Sequence, residues 1–371
     1  MSLHDKRRRL QRGSTRIRLG ILSAEALHGD SSASTAPIFL IFASPGDSVQ
    51  MHIPDGLLDT PVCLVTGGIS LAAVGYSVHR LKDSLADRTV PMTGMVAAMV
   101  FAGQMVNFPV AVGTSGHLVG GVLAARLLGP WAACLALTLV LFVQKFLFND
   151  GGLLALGPNV FHMSVVGALG GYAIQSFVAR LGGDTTRARV IGVVIAGWVT
   201  VMAAALLCSI EFAVSHASNP DFRFLQFLAL IMMFHALIGI GESLISGGII
   251  RYVATRRPEL LYNPPTATSN PWRKAVTGGF WVALLAVVLL APFASSSPDG
   301  LETAIAESNL LPVQSGSLSL FDNYTALLSA NDWEYWSIAL SGLLGTSIVF
   351  VIAIVLGRPL NRPAAPEGPG D

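Results

Sequence analysis

The stretch VIGVVIAGWVTVMAAALLCSI, residues 190–210, decides the fold class. It runs for 21 residues without one charged side chain. The hydrocarbon core of a bilayer is about 30 Å thick and a helix rises about 1.5 Å per residue, so roughly 20 apolar residues are needed to cross it. The stretch therefore predicts a transmembrane helix.

The whole chain has the composition of a membrane protein. Of its 371 residues, 52% are hydrophobic and only 12% are charged, and the mean hydropathy is positive. The formal net charge is +1, and the basic residues are dispersed without interleaved aromatic residues, which argues against nucleic-acid binding. The single, apolar settings of Cys63, Cys134 and Cys208 predict small core residues rather than disulfides or zinc ligands.

Nine apolar segments reach or approach the length of a membrane span. They are centred on 59–78, 91–107, 117–128, 129–147, 157–179, 190–210, 225–250, 275–293 and 337–357. We therefore predict an all-α polytopic membrane protein, with about seven transmembrane helices in a first unit, 51–258, and two in a C-terminal appendage, 275–371. The polar, Pro-rich residues 259–274 predict a linker between them.

The charges of the connections predict the orientation, because cytoplasmic loops retain Lys and Arg. Alternate threading of nine helices places nearly all basic loop residues on one side. They are Arg80, Lys82, Arg88, Arg126, Arg180, Arg187, Arg189, Arg251, Arg256, Arg257, Arg273, Lys274, Arg358 and Arg362. The other side receives acidic residues and two basic exceptions, Lys145 and Arg223. In a bacterial-type cytoplasmic membrane, Met51 is then expected outside and the C-terminus in the cytoplasm.

Residues 1–50 conflict with this orientation. They carry a basic cluster between Lys6 and Arg18 that would have to cross the membrane ahead of the first helix, and they contain no compact signal peptide. Three interpretations remain: a start assigned upstream of the real one, a cleaved leader, or a cytoplasmic arm with a different topology. The charge argument favours the first, so residues 1–50 are expected to be a non-native or disordered extension.

The segment VQMHIPDGLL, residues 49–58, suggests a metal site if Met51 is the first residue. The free amine and the amide nitrogen of His52 would then form a five-membered chelate ring, and that amide and the His52 imidazole a six-membered one. His117, in the Gly-rich AVGTSGHLVGG and on the same predicted side, supplies a fourth nitrogen. Planar nitrogen coordination suits Ni(II) or Cu(II). The alternative is that His52 is a surface residue and His117 a polar residue in a helix interface.

Two ionisable residues fall within one apolar segment, FHALIGIGESLISGG. His235 and Glu242 are seven residues apart and thus lie on nearly the same helical face. Intramembrane ionisable groups are functional candidates, so they could line a metal path or orient a primary ligand. A polar pair that holds the bundle together is the alternative. His162 and Asn159 are weaker candidates of the same kind.

A different class of function is suggested by GTSG, residues 113–116. It fits the pattern of intramembrane serine proteases, with Ser115 as nucleophile and His235 or His162 as base. A four-residue pattern is weak in a chain with 38 glycines, and it leaves the Met-His pair unexplained. The sequence has no G-x-x-x-x-G-K-[ST] phosphate loop, so we expect no ATPase activity in this chain and take any such energy to come from a partner.

Several ordered motifs resemble one known family closely. MHIPDGLL, PMTGMVAAMVFAGQMVNFPVAVGTSGHLVGG, LFNDGGLLALGPNVFHMSVVG and HALIGIGESLISGG are similar to signature segments of the CbiM/NikM family, the metal-binding membrane subunits of energy-coupling-factor transporters for cobalt and nickel. The likeness runs from Met51 to about Pro258. SSSPDGLE, residues 295–302, resembles the PDGLE domain that accompanies nickel subunits, so the chain resembles a fused NikMN-type protein.

This resemblance implies a subunit whose mature N-terminus folds back into the bundle as a lid-like loop. It implies that Met51, His52 and His117 coordinate the ion, while His235 and Glu242 remain supporting candidates. The implied function is nickel capture for an ATP-driven transporter, with cobalt uptake for cobalamin synthesis as the alternative. Ni(II) or Co(II) would be the transported substrate, and no organic cofactor is expected. The implied partners are a transmembrane coupling subunit and ATPase subunits.

Overall fold

The computed structural model describes residues 51–82, 88–111, 113–262, 272–295, 297–310, 319–321, 324 and 334–360. The predicted extension, 1–50, and most of the predicted linker lie outside the described residues. Helices dominate the described part of the chain. They are α1 Thr60–Lys82, α2 Thr89–Gln104, α3 Gly121–Leu128, α4 Pro130–Phe148, α5 Leu156–Val160, α6 Gly171–Leu181, α7 Thr186–Ser215, α8 Phe224–Arg256, α9 Trp272–Leu290, α10 Gly300–Glu307 and α11 Glu334–Gly357.

Shorter elements join these helices. A π-helical segment, Phe161–Gly170, joins α5 to α6, so that one helical path runs from Leu156 to Leu181. Single 3₁₀ turns follow three other helices, at Pro258–Leu260, Ala291–Phe293 and Arg358–Leu360. Between α2 and α3, strands β1 Phe108–Ala111 and β2 Thr114–Gly116 form an antiparallel hairpin.

The predicted fold class is confirmed. Each of the nine predicted segments contains helical structure, although the third is helical only from Gly121. Within the described residues, six helices are long and apolar enough to cross a membrane, namely Thr60–Lys82, Pro130–Phe148, Thr186–Ser215, Phe224–Arg256, Trp272–Leu290 and Tyr335–Gly357. The 16 residues of α2 are also apolar, but they form a shorter helix. The chain is therefore a multi-pass membrane protein.

The third segment differs from a simple span. Helix α3 has only 8 residues, which is about 12 Å of helix and too short to cross a bilayer. The chain enters it through the β1–β2 hairpin and an extended stretch that contains His117. Gly120, with a φ of +77°, occupies the left-handed region that favours glycine and starts the helix late. Hydropathy therefore located the third apolar segment correctly but overestimated the length of its helix.

Arg88, Arg126 and Arg257 lie at one end of the bundle, which we call the basic end. The last turn of α1, the first turn of α2 and the end of α3 line a common pocket there with Tyr262. The Arg88 guanidinium donates to the Glu259 carbonyl at 2.9 Å, and the Tyr262 N–H donates to the Arg126 carbonyl at 3.0 Å. These contacts place the start of α2, the end of α3 and the segment after α8 together.

The segment 51–58 is folded into the bundle at the opposite end. Asn159 binds the Ile53 backbone twice, since its side-chain oxygen accepts the Ile53 N–H and its amide group donates to the Ile53 carbonyl, both at 3.0 Å. The Asp55 carboxylate accepts three consecutive backbone N–H groups that precede α5, those of Leu153, Leu154 and Ala155. The segment is thus fixed by specific hydrogen bonds as well as by apolar burial, which matches the expected inserted loop.

The C-terminal appendage packs on the same bundle. Helices α9 and α11 contact α2, and a Cβ atom at Gly345 would collide with the Phe101 ring, so α11 and α2 approach each other closely at this glycine. Helix α10 lies on α8 and on strand β2. The PDGLE motif therefore meets the hairpin that leads to His117.

Candidate metal centre

Two nitrogen atoms of the inserted segment converge on one carboxylate oxygen. The Met51 N–H donates to Asp150 Oδ1 at 2.8 Å, and His52 Nδ1 lies 3.0 Å from the same atom. All three residues are buried. In the described chain Met51 follows Gln50, so its nitrogen is a backbone amide. Asp150 therefore already draws together two of the predicted ligand nitrogens.

His117 reaches the inserted segment from the other side. Its ring lies 5.7 Å from the His52 ring, measured between centroids, and its Nε2 lies 3.3 Å from the Met51 carbonyl oxygen. Its Nδ1 lies 3.1 Å from the Leu118 carbonyl oxygen. A proton on Nδ1 satisfies that carbonyl and leaves the Nε2 lone pair directed at the segment. The structure thus brings Met51, His52 and His117 together.

The two ring nitrogens of His52 have neighbours of unequal strength. Its Nε2 lies 3.2 Å from the Met163 sulfur, a weak acceptor. Its Nδ1 lies 3.0 Å from the Asp150 carboxylate, a much stronger acceptor, so the metal-free ring holds its proton on Nδ1. A metal at Nδ1 would have to displace that proton, and the Met163 sulfur is then the partner for a proton on Nε2.

Glu242 holds the chain that carries His117. One oxygen of its carboxylate accepts the Val119 N–H at 2.9 Å, and both oxygens lie 3.2 Å from the Gly120 nitrogen. The Ser246 hydroxyl donates to Oε1 at 3.3 Å. A buried carboxylate at the two backbone N–H groups that immediately precede α3 fits the positive end of the helix dipole. Glu242 does not reach the ligand nitrogens but orients the His117 loop, which is one of the two roles considered from the sequence.

A cavity of about 110 Å³ adjoins the centre. Met51, His52 and His117 line one part of it. The other part is lined by polar and sulfur groups from four different elements, namely His162, Cys208, His235 and Asp299. His235 thus faces the cavity, whereas its predicted companion Glu242 lies behind the loop.

The two additional histidines have other partners. His162 Nε2 lies 3.0 Å from a Glu211 oxygen, and His235 Nδ1 lies 2.8 Å from the Ile231 carbonyl oxygen in its own helix. Among the described residues, no three His, Cys, Asp or Glu side chains come together in a metal-ligating cluster. The candidate centre consists of two imidazoles, one carboxylate and backbone nitrogens.

The surroundings of Ser115 do not fit the nucleophile of a serine protease. Ser115 is fully buried, and its hydroxyl donates to the Ser297 carbonyl at 2.8 Å. Its backbone N–H donates to the Pro298 carbonyl at 2.9 Å. Neither His235 nor His162 is a hydrogen-bond partner of this hydroxyl. Ser115 instead joins strand β2 to the PDGLE motif.

The electrostatic environment of the candidate centre shifts the pKa values of Asp150 and His117 downwards. Burial acts to raise the pKa of Asp150, but the His52 ring, the Tyr324 hydroxyl and the Met51 N–H outweigh it, and the net pKa is below the ordinary value. Burial, together with the nearby His52 ring, lowers the pKa of His117. A charged Asp150 and a neutral His117 are the states that metal binding requires.

Asp150 and Tyr324 were not predicted as parts of the site. Asp150 occurs in FNDGG, where an Asp before two glycines is a common turn signal. Its role depends on partners 99 and 174 positions away, so no local pattern could reveal it. The Asn159 side chain, a weak candidate, binds the Ile53 backbone of the inserted segment.

A bundle of membrane-spanning helices that brings two histidines and an inserted chain segment together beside a small cavity is suited to metal binding within a membrane. The family model CbiM, described as cobalt uptake substrate-specific transmembrane region, matches residues 52–260, and the PDGLE domain matches residues 273–362. The chain belongs to the CbiM family and carries a PDGLE domain, which confirms the resemblance seen in the sequence.

Several curated proteins are similar to this chain. A protein of Archaeoglobus fulgidus assigned to the fused nickel transport proteins NikMN is 34% identical, over 83% of this chain and 98% of its own length. The fused nickel transport protein NikMN of Rhodobacter capsulatus is 33% identical, over 65% of this chain and 72% of its own length. The cobalt transport protein CbiM of Sorangium cellulosum is 28% identical, over 57% of this chain and 94% of its own length.

Proposed function

We propose that this protein captures Ni(II) for import, as the substrate-binding membrane component of an ATP-driven, energy-coupling-factor-type transporter. The observation that carries the proposal is the meeting of three residues: the half-buried His117 lies against the buried Met51–His52 dipeptide of the inserted loop. Two imidazoles that face each other inside an apolar bundle are costly to place there, and ligand binding accounts for them.

The proposed ligands are four nitrogen atoms. Met51 N, His52 N and His52 Nδ1 form two fused chelate rings in one plane, and His117 Nε2 supplies the fourth position. With the metal bound, the Leu118 carbonyl and the Met163 sulfur would accept the protons of the two non-ligating ring nitrogens. The first ligand requires a free amine, so we propose that the functional chain begins at Met51 and that residues 1–50 are not part of it.

Asp150 organises these nitrogens before the metal arrives. Its Oδ1 is 2.8 Å from Met51 N and 3.0 Å from His52 Nδ1, so both nitrogens already point towards one place. When the cation binds, His52 Nδ1 must give up its proton as well as this contact before it can face the metal. A coordinated amine keeps N–H groups, so Asp150 can continue to bind Met51 and balance part of the cationic charge.

Nickel is preferred to cobalt on two grounds. Square-planar nitrogen coordination suits Ni(II), and the nickel relative of Archaeoglobus fulgidus aligns with 83% of this chain, well beyond the CbiM region. Cobalt uptake for cobalamin synthesis is the alternative, supported by the family description and by the cobalt relatives. Direct comparison of Ni(II) and Co(II) affinities in the purified protein distinguishes the two.

The proposed complex contains a transmembrane coupling subunit and ATPase subunits, which supply the energy for release into the cell. The chain itself is proposed to hydrolyse no ATP. In the cytoplasmic membrane, the positive-inside tendency places the basic end in the cytoplasm and the inserted loop outside. The metal centre then opens towards the side from which scarce metal must be captured.

Uptake of radioactive nickel by cells that express the full transporter tests the proposal. His117→Ala removes one ligand nitrogen and is expected to abolish nickel accumulation, while the amount of protein in the membrane stays unchanged. His79→Ala is the matched control, because His79 is exposed in the last turn of α1 at the basic end. Normal accumulation by His117→Ala would refute the proposed centre.

A further inference from the structure

A short segment of the C-terminal appendage reaches the metal centre through the end of α4. The backbone N–H groups of Leu320 and Phe321 donate to the Phe146 and Leu147 carbonyls at 2.9 and 2.8 Å. Carbonyls in the last turn of a helix lack partners within the helix, so these bonds cap α4 from outside. The cap fixes the chain three residues before Tyr324.

Tyr324 is itself fixed on both sides. Its ring stacks on Phe148 at the C-terminal end of α4, with the centroids 4.8 Å apart. Its carbonyl accepts the Ser341 hydroxyl of α11 at 2.7 Å. With these contacts the ring has little freedom, and its hydroxyl donates to Asp150 Oδ2 at 2.8 Å. The donor and the carboxylate are both buried.

This hydrogen bond occupies the carboxylate oxygen that the inserted segment does not use. Oδ1 receives Met51 N and His52 Nδ1, and Oδ2 receives Tyr324. A buried carboxylate oxygen without a donor is unfavourable, and a carboxylate held at one oxygen can rotate about its side-chain bonds. Tyr324 therefore fixes the direction in which Oδ1 points.

We infer that Tyr324 is a positioning residue of the metal centre, through which the C-terminal domain holds Asp150 in the orientation that gathers Met51 N and His52 Nδ1. The inference rests on the proposed function. It assigns the second domain a direct effect on metal affinity in addition to its packing on α2. Groups that orient metal ligands from behind commonly change affinity by about 10- to 100-fold.

Nickel affinity of the purified chain that begins at Met51 and includes the C-terminal domain, measured by equilibrium dialysis, tests this role. Tyr324→Phe keeps the ring stacked on Phe148 and removes only the hydroxyl, and we expect the dissociation constant to rise about 10-fold. The control is Tyr335→Phe, which removes another phenol of the same domain, one that donates to the Val288 carbonyl at 3.0 Å. This control should leave nickel affinity unchanged.

A double-mutant cycle separates positioning from general stability. If Tyr324 acts through Asp150, then Tyr324→Phe has no further effect on nickel affinity in an Asp150→Asn background. An additive loss, or equal losses in Tyr324→Phe and Tyr335→Phe, would overturn the inference. If the unaltered protein binds no nickel, or if His117→Ala binds it normally, the proposed function fails instead. A normal His117 dependence with an unchanged Tyr324→Phe refutes the inference alone.

Discussion

Replacing Glu242 with glutamine is expected to weaken nickel binding about 10- to 100-fold without unfolding the protein. The carboxylate binds the backbone at Val119 and Gly120 through both oxygens, and it is 2% exposed, so solvent does not screen it. Glutamine keeps one acceptor oxygen and turns an NH₂ group towards an N–H donor. The stretch from His117 to α3 then loses its anchor.

The magnitude follows from the bonds that are lost. A hydrogen bond to a charged group contributes about 1.5–3 kcal/mol, and a charge at a helix N-terminus about 0.3–2 kcal/mol. A loss of about 1.4–2.8 kcal/mol in the bound state is 10- to 100-fold in affinity. The side chain keeps its volume, so a cavity is not created and the helices should still pack.

Calorimetric titration of nickel into the detergent-solubilised protein, with thermal unfolding of the metal-free protein alongside it, measures both effects. Glu259→Gln is the control, since Glu259 lies at the basic end beside Arg257. An unchanged nickel affinity in Glu242→Gln would refute the role of Glu242 as the anchor of the His117 loop. A fall in affinity in both variants would show that the effect is not specific to the site.

Two further perturbations concern the PDGLE motif. Burial raises the pKa of Asp299 to about 7, so between about pH 4 and 7 the folded protein holds a proton that the unfolded chain has lost, and stability should fall as pH rises. Thermal melts of the metal-free protein at pH 5 and pH 8 measure this loss of stability. Asp299→Asn should remove most of the loss, because asparagine does not titrate and still caps α10. An equal loss of stability in the variant would contradict the role of Asp299. Ser115→Ala loses the hydrogen bond to the Ser297 carbonyl and should lower nickel uptake several-fold at most. Complete loss of uptake at a normal protein level would show that Ser115 does more than join the hairpin to the PDGLE motif.

The helices could be predicted from the sequence because membrane insertion depends on length and apolarity, which are local properties. The exception, α3, shows the limit of that rule. Its late start depends on Gly120 and on Glu242, which is 122 residues further along the chain. Lys145, a basic exception in the charge pattern, is buried in the last turn of α4, where a cation suits the helix dipole. Its ammonium group donates to the Asn149 side-chain oxygen.

The candidate site was predictable only in part. Topology placed His52 and His117 at the same end, and the structure brings their rings to 5.7 Å. The side of the membrane on which a residue lies does not give its depth within the helix bundle, so the cavity lined by His162 and His235 could not be predicted. Asp150 was missed because its function depends on Met51 and Tyr324, whose contacts with it join distant parts of the chain.

The central claim is that a free Met51 amine, the His52 amide and two imidazoles hold Ni(II) in one plane. Its most direct test is X-ray absorption spectroscopy of the nickel-loaded protein from its native membrane, with the N-terminus of the same sample determined by mass spectrometry. We predict a chain that begins at Met51 and a four-coordinate, planar nickel centre with nitrogen ligands only. A six-coordinate, oxygen-rich centre, or bound nickel in a chain that still carries residues ahead of Met51, would contradict it.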